Sequence, residues 1–153
     1  MSQMELLEKT IKSLEREKIP YMLTGSLVSS FQGNPRSIYD IDIIISIISD
    51  NIPDIIKSFP SKDYYINKDT IEEAIKYNSQ FNVLDINEGD KIDFWILTDS
   101  KFDISRFSRK QKIKVFGFEA SISTAEDTIL QKNIMVKTIR RKRQIIQRCL
   151  KCF

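Results

Sequence analysis

The chain has 153 residues, 41% of them apolar and 29% charged, with a formal net charge of +3, which suits one folded domain with a real hydrophobic core. No stretch approaches the roughly 18 uninterrupted apolar residues of a membrane helix, and the absence of histidine excludes Ser-His and Cys-His nucleophiles and imidazole acid-base chemistry. Catalysis in such a chain runs on carboxylates, lysines, arginines and bound metal.

Glu5 to Lys18 reads as an amphipathic helix, with Leu6, Leu7, Ile11 and Leu14 on one stripe and Pro20 ending it. The acidic, amphipathic N-terminus does not read as a signal peptide, so a cytoplasmic location is expected. Tyr21 to Leu23 follows as a short strand, and Gly25-Ser26 makes a tight exit from it. Leu27 to Phe31 is then a short helix and Gly33-Asn34-Pro35 a turn. Asp40 to Ile48 is a second strand, isoleucine on both faces and so central in its sheet. Ile52 to Phe59 and Thr70 to Tyr77 read as helices. Gln80 to Ile86 and Lys91 to Leu97 flank Asn87-Glu88-Gly89-Asp90, the pattern of a β-hairpin. Ile113 to Ile122 suggests one further strand interrupted by Gly117. Thr124-Ala125-Glu126-Asp127 resembles a capping box opening a helix to about Arg148. The order predicts an α+β domain with one mixed sheet flanked by helices and a C-terminal helix. Residues 1–135 form its body; the basic C-terminal helix or tail, 136–153, belongs to the same domain.

The chemistry concentrates in three acids. If Asp40 to Ile48 is a strand, period-two geometry puts Asp40 and Asp42 on one face and Ile41 and Ile43 on the other. Two carboxylates so placed repel each other and resist burial, a conflict that a divalent metal removes. Asp93 lies between Ile92 and Phe94-Trp95-Ile96-Leu97. A charged, unpaired carboxylate inside such a strand would cost several kcal/mol. It therefore needs a half-exposed face, a salt bridge or a ligand. Taken with Asp40 and Asp42, acids on adjacent strands can hold two Mg²⁺ ions about 3.5 to 4 Å apart. The remaining charge is uneven: Lys137, Arg140, Arg141, Lys142, Arg143, Arg148 and Lys151 have no acid among them. Such a block is either a solvated helix face or a surface for phosphate, RNA or an acidic partner. Cys149 and Cys152 are too few and too terminal for a disulfide framework or a zinc site.

Gly25-Ser26, then Asp40-Ile41-Asp42 after thirteen intervening residues, then Asp93 on a later strand, is a constellation that resembles the nucleotidyltransferase superfamily of the DNA polymerase beta-like fold. More narrowly, LTGS (Leu23 to Ser26), Pro35-Arg36, Ile92 to Trp95 and Ala125 to Lys132 are similar to small bacterial nucleotidyltransferase-like proteins of toxin-antitoxin or resistance type. The likeness spans roughly residues 3 to 135. Gly-Ser alone is as consistent with an ordinary turn; the ordered set is specific. One departure is Arg143-Gln144-Ile145-Ile146-Gln147, which puts glutamine where relatives carry aspartate.

The resemblance implies a nucleotidyltransferase-like fold and transfer of an NMP group from an NTP, ATP among them, to an acceptor hydroxyl on an RNA end, a protein or a small molecule, with release of pyrophosphate. It assigns metal and catalytic roles to Asp40, Asp42 and Asp93, with Mg²⁺ or Mn²⁺ as the ion. It assigns nucleotide contacts to Gly25, Ser26, Lys132 and Arg36, with Arg109 a further candidate. For Lys132 the alternative is a stem snorkelling along an apolar helix face, and for the arginines surface salt bridges. A second class remains open, a non-catalytic member such as an antitoxin or regulatory subunit; a third is an RNA-binding module using 137–151. Ile139, Ile145, Ile146 and Leu150 would offer a helix face to a second copy or a heteromeric partner.

Overall fold

The computed structural model describes residues 3–25, 28, 40–115 and 117–151, the side chains of 115 and 149–151 excepted. The first helix, α1 (Gln3–Arg16), buries Leu6, Leu7, Thr10, Ile11, Ser13 and Leu14, the stripe expected from its periodicity. It stops before Lys18 because that residue takes a left-handed φ of 54°. The Lys18 N–H returns to the Glu15 carbonyl at 3.1 Å and the Ile19 N–H to that of Leu14 at 2.9 Å, a Schellman closure made without glycine.

Next come β1 (Tyr21–Thr24) and β2 (Ile41–Ile45), paired antiparallel with Leu23 opposite Ile43 and Thr24 opposite Asp42. The expected helix at Leu27 to Phe31, apart from Val28, and the turn at Gly33-Asn34-Pro35 lie outside the described residues, as do Ser26 and Arg36. β2 is shorter than the isoleucine run. Ile48 already leads into a 3₁₀ turn, Ser49–Asn51, its N–H held by Asn51 Oδ1 at 2.9 Å. Then follow α2 (Ile52–Ser58), β3 (Tyr64–Tyr65), α3 (Lys68–Tyr77), β4 (Gln80–Asp85) and β5 (Lys91–Ile96). The β4–β5 hairpin is antiparallel as expected. Its loop is shaped by Gly89 at φ +79° and by the buried Asp85, whose Oδ1 accepts from the Asn87 N–H at 2.8 Å and the Glu88 N–H at 3.2 Å.

The C-terminal third carries α4 (Lys101–Ser108), β6 (Gln111–Val115), β7 (Phe118–Ile122) and α5 (Ala125–Lys151). The single interrupted strand expected over Ile113 to Ile122 is instead a hairpin: Val115 pairs with Phe118 and Ile113 with Ala120. Gly117, at φ +91°, turns the chain there. Neither α4 nor β3 follows from the sequence pattern, since α4 spans eight residues with only a short apolar face and β3 spans two.

The described strands form one mixed sheet in the order β3-β4-β5-β2-β1-β7-β6. β2 is central, parallel to β5 and antiparallel to β1. Its two faces have different fates. Ile41, Ile43 and Ile45 are fully buried and join one large core with α1, α2, α3 and the inward residues of β4 and β5. Phe94 anchors it, stacked on Phe81 with ring centroids 5.1 Å apart and edge-on to Phe59 at 6.3 Å. On the opposite face, among the described residues, a small cluster forms, Met22 and Ile44 under Phe107 of α4, with Leu97 against it. That half-covered face carries Asp42. Tyr21 ties the layers together, its hydroxyl donating to Glu15 Oε1 at 3.0 Å and accepting from the Ser121 N–H at 3.2 Å. Burial foremost raises that phenol to a pKa of about 12. Among the described residues no helix is long and apolar enough to cross a membrane.

Candidate functional site

The parity of two strands builds the centre of the site. In the parallel β2–β5 ladder Asp42 is the partner of Asp93, and Ile44 the partner of Trp95. Their side chains leave the same face, while Ile41, Ile43, Ile92 and Phe94 fill the core. Like charges in register are unfavourable, so this pairing is not a packing solution.

Asp42 is held from two sides. The Trp95 indole N–H donates to its Oδ1 at 3.1 Å. Gly25, at the end of β1, takes φ +81°, and a Cβ there would overlap Asp42 Oδ2. Glycine is thus required twice, for its backbone angle and for the space. Burial holds the Asp42 carboxyl above the ordinary carboxylate range; the Trp95 bond opposes that shift, repulsion from Asp93 and Asp40 adds to it, and Lys91 draws it back. Asp40 stands just before β2, exposed.

These groups border a cavity of about 610 Å³, a volume in the range that takes a small-molecule ligand or cofactor. Gly25, Asp40, Asp42 and Trp95 belong to its wall, and so do Arg106 of α4 with Thr128, Gln131 and Lys132 of α5. Asp93 is not part of that wall. It sits beside it, with Lys91 Nζ 3.3 Å from its Oδ1.

Of the residues marked by sequence, the structure brings together Gly25, Asp40, Asp42 and Lys132 around the cavity and sets Asp93 in register next to Asp42. Ser26 and Arg36 lie outside the described residues. Arg109 goes elsewhere. Its Nε and Nη2 donate to the two oxygens of Asp127 at 3.0 and 2.7 Å, a fork that ties α4 to the first turn of α5, so it is a structural link. The capping box is correspondingly half made: Thr124 Oγ1 accepts the Asp127 N–H at 3.1 Å, while the Asp127 carboxylate serves Arg109. Two residues escaped the sequence reading. Trp95 had a signal, being the one tryptophan in the chain and of the same strand parity as Asp93. Arg106 had none, because α4 itself was not foreseen.

The donor set suits a hard divalent cation, which prefers carboxylate oxygens. Among the described residues, however, no three acidic side chains stand close enough together to hold an ion as they are. Lys91 compensates Asp93 and acts on Asp42.

No protein-family model matches the chain, and no curated protein matches it. Among solved structures it is similar to a Thermotoga maritima protein described as a candidate nucleotidyltransferase. The TM-score is 0.60 and the identity 16%, over 94% of this chain and 90% of that one. The fold is nucleotidyltransferase-like.

Proposed function

We propose that the chain, on this nucleotidyltransferase-like fold, is a Mg²⁺-dependent enzyme that moves an NMP group from an NTP to an acceptor hydroxyl. The observation that carries this reading is the register pair Asp42–Asp93 with Gly25 backed against Asp42. Burial and repulsion from Asp93 both disfavour the ionised form of Asp42, a perturbed carboxylate at a cavity of the kind that marks functional sites. Asp40, Asp42 and Asp93 would hold the metal, with Mn²⁺ an acceptable substitute. When bound, the ion supplies neutralisation of phosphate charge and a more acidic acceptor hydroxyl.

The chain's own residues do the rest. Gly25 lets the backbone approach the phosphate chain, and Ser26, Arg36 and Lys132 supply donors and positive charge to it. Trp95 orients Asp42 through its indole N–H. Asp93, once free of Lys91, accepts the proton of the acceptor hydroxyl. The acceptor oxygen forms its bond to the α-phosphorus, the bond to the bridging oxygen breaks in line, and pyrophosphate leaves.

Incubation with Mg²⁺ and each labelled NTP, across RNA, protein and aminoglycoside acceptors, tests this. Label transfer or pyrophosphate release that Asp42→Ala lacks is the expected result. The Lys91–Asp93 ion pair favours a second reading, a catalytically silent binding protein such as an antitoxin or regulatory subunit. Nucleotide binding without turnover on any acceptor would select it.

A further inference from the structure

The α4 side of the cavity presents a guanidinium at unusual depth. Arg106 is 6% exposed, rare for arginine without a paired role. Everything around it fixes its position. Nε donates to Asp103 Oδ1 at 3.0 Å, Asp103 Oδ2 in turn accepts the Thr98 hydroxyl, and Ser100 Oγ holds the Asp103 N–H at 3.1 Å. The Phe102 ring lies 5.6 Å from the guanidinium carbon.

Asp103 thus balances the charge through one edge of a group that carries five donors. Among the described residues no acceptor takes the Nη donors, yet Arg106 lines the cavity. Its charge also acts on Asp127, which places it beside the first turn of α5, where Thr128, Gln131 and Lys132 follow at helical spacing on the same wall. A rigid fork of this kind, sharing one cavity with a second cation, suits an oxyanion with two oxygens to offer.

We propose that Arg106 is an anion-binding residue of this cavity, its Nη pair taking two oxygens of the phosphate chain of a nucleoside triphosphate. The identity of the ligand rests on the nucleotidyltransferase reading above; the anion subsite itself does not.

Trp95, the chain's single tryptophan, lines the same cavity and gives a built-in optical signal, with calorimetry run alongside so that a silent indole is not mistaken for lack of binding. The full chain is titrated with inorganic triphosphate, ATP and adenosine. Two variants are compared: Arg106→Lys, which keeps the charge but loses the fork, and Arg106→Gln with Asp103→Asn, which removes the ion pair as a unit and leaves no buried charge behind. Both should bind triphosphate and ATP at least about tenfold more weakly than the wild type while adenosine binding is unchanged. Equal triphosphate affinity in all three proteins overturns the proposal. So does a wild type that ignores triphosphate, or a loss that extends equally to adenosine. Transfer assays in parallel keep the two claims apart: Arg106-dependent triphosphate binding without transfer preserves the subsite and removes the reaction, and transfer with unchanged triphosphate affinity does the reverse.

Discussion

Asp42 carries an electrostatic strain whose sign is testable. Burial and the neighbouring Asp93 and Asp40 disfavour its ionised form, so its folded pKa lies above the unfolded value of about 3.9. A raised carboxyl destabilises the fold above its folded pKa, and the penalty vanishes as the pH falls to the unfolded value. Asp42→Asn can still accept the Trp95 bond. It is expected to raise Tm by roughly 2–4 °C at about pH 7, with the gain closing at about pH 3.5; thermal melts at the two pH values check this, and a lower Tm at neutral pH would mark Asp42 as a structural residue. Gly25 is the opposite case. Gly25→Ala meets a positive φ and Asp42 at once, so a loss of at least about 1 kcal/mol is expected. Denaturant unfolding measures it, and ATP titration of the refolded variant should show weakened binding because Asp42 must move.

At the level of elements, the joint between α4 and α5 depends on Asp127. Its hydrogen bond from Arg109 holds the carboxyl below the ordinary range, against an opposing contribution from burial. A lowered folded pKa gives stability that is present above the unfolded pKa of about 3.9 and is lost as the pH falls through the folded one. Asp127→Asn should therefore melt below the wild type at neutral pH and converge with it only once the pH has fallen through the lowered folded pKa. A constant difference at all pH values would show that the fork contributes by shape alone. The elements themselves differ in how plainly the sequence announces them. α1 and β2 are long or strongly periodic, with Leu6, Leu7, Ile11 and Leu14 on one side and Ile41, Ile43 and Ile45 buried together. α4 is short, and its buried members include Arg106 as well as Phe107. An arginine inside a helix's buried face removes the apolar signal on which periodicity depends.

Over the whole molecule, charge and packing separate. From Ile129 to Arg148 α5 is exposed almost throughout, including Ile139, Ile145 and Ile146, and it carries the acid-free basic block. Replacing Arg140, Arg141 and Lys142 with serine should leave Tm within about 2 °C, yet lower the salt needed to elute the protein from an immobilised polyanion. Unchanged elution would assign polyanion contact to another surface. The sequence by itself determined the alternation of β2, the order Gly25, Asp40, Asp42, Asp93 and the class of ligand such oxygens prefer, because strand parity and side-chain chemistry are local properties. Only the tertiary structure decided that Asp42 and Asp93 share a rung, that Lys91 already neutralises Asp93, that Arg109 serves Asp127, and that Arg106 lines one cavity with Asp40 and Asp42. Those facts depend on sheet order and on which helix covers the second face, and both are fixed by contacts between residues far apart in the chain.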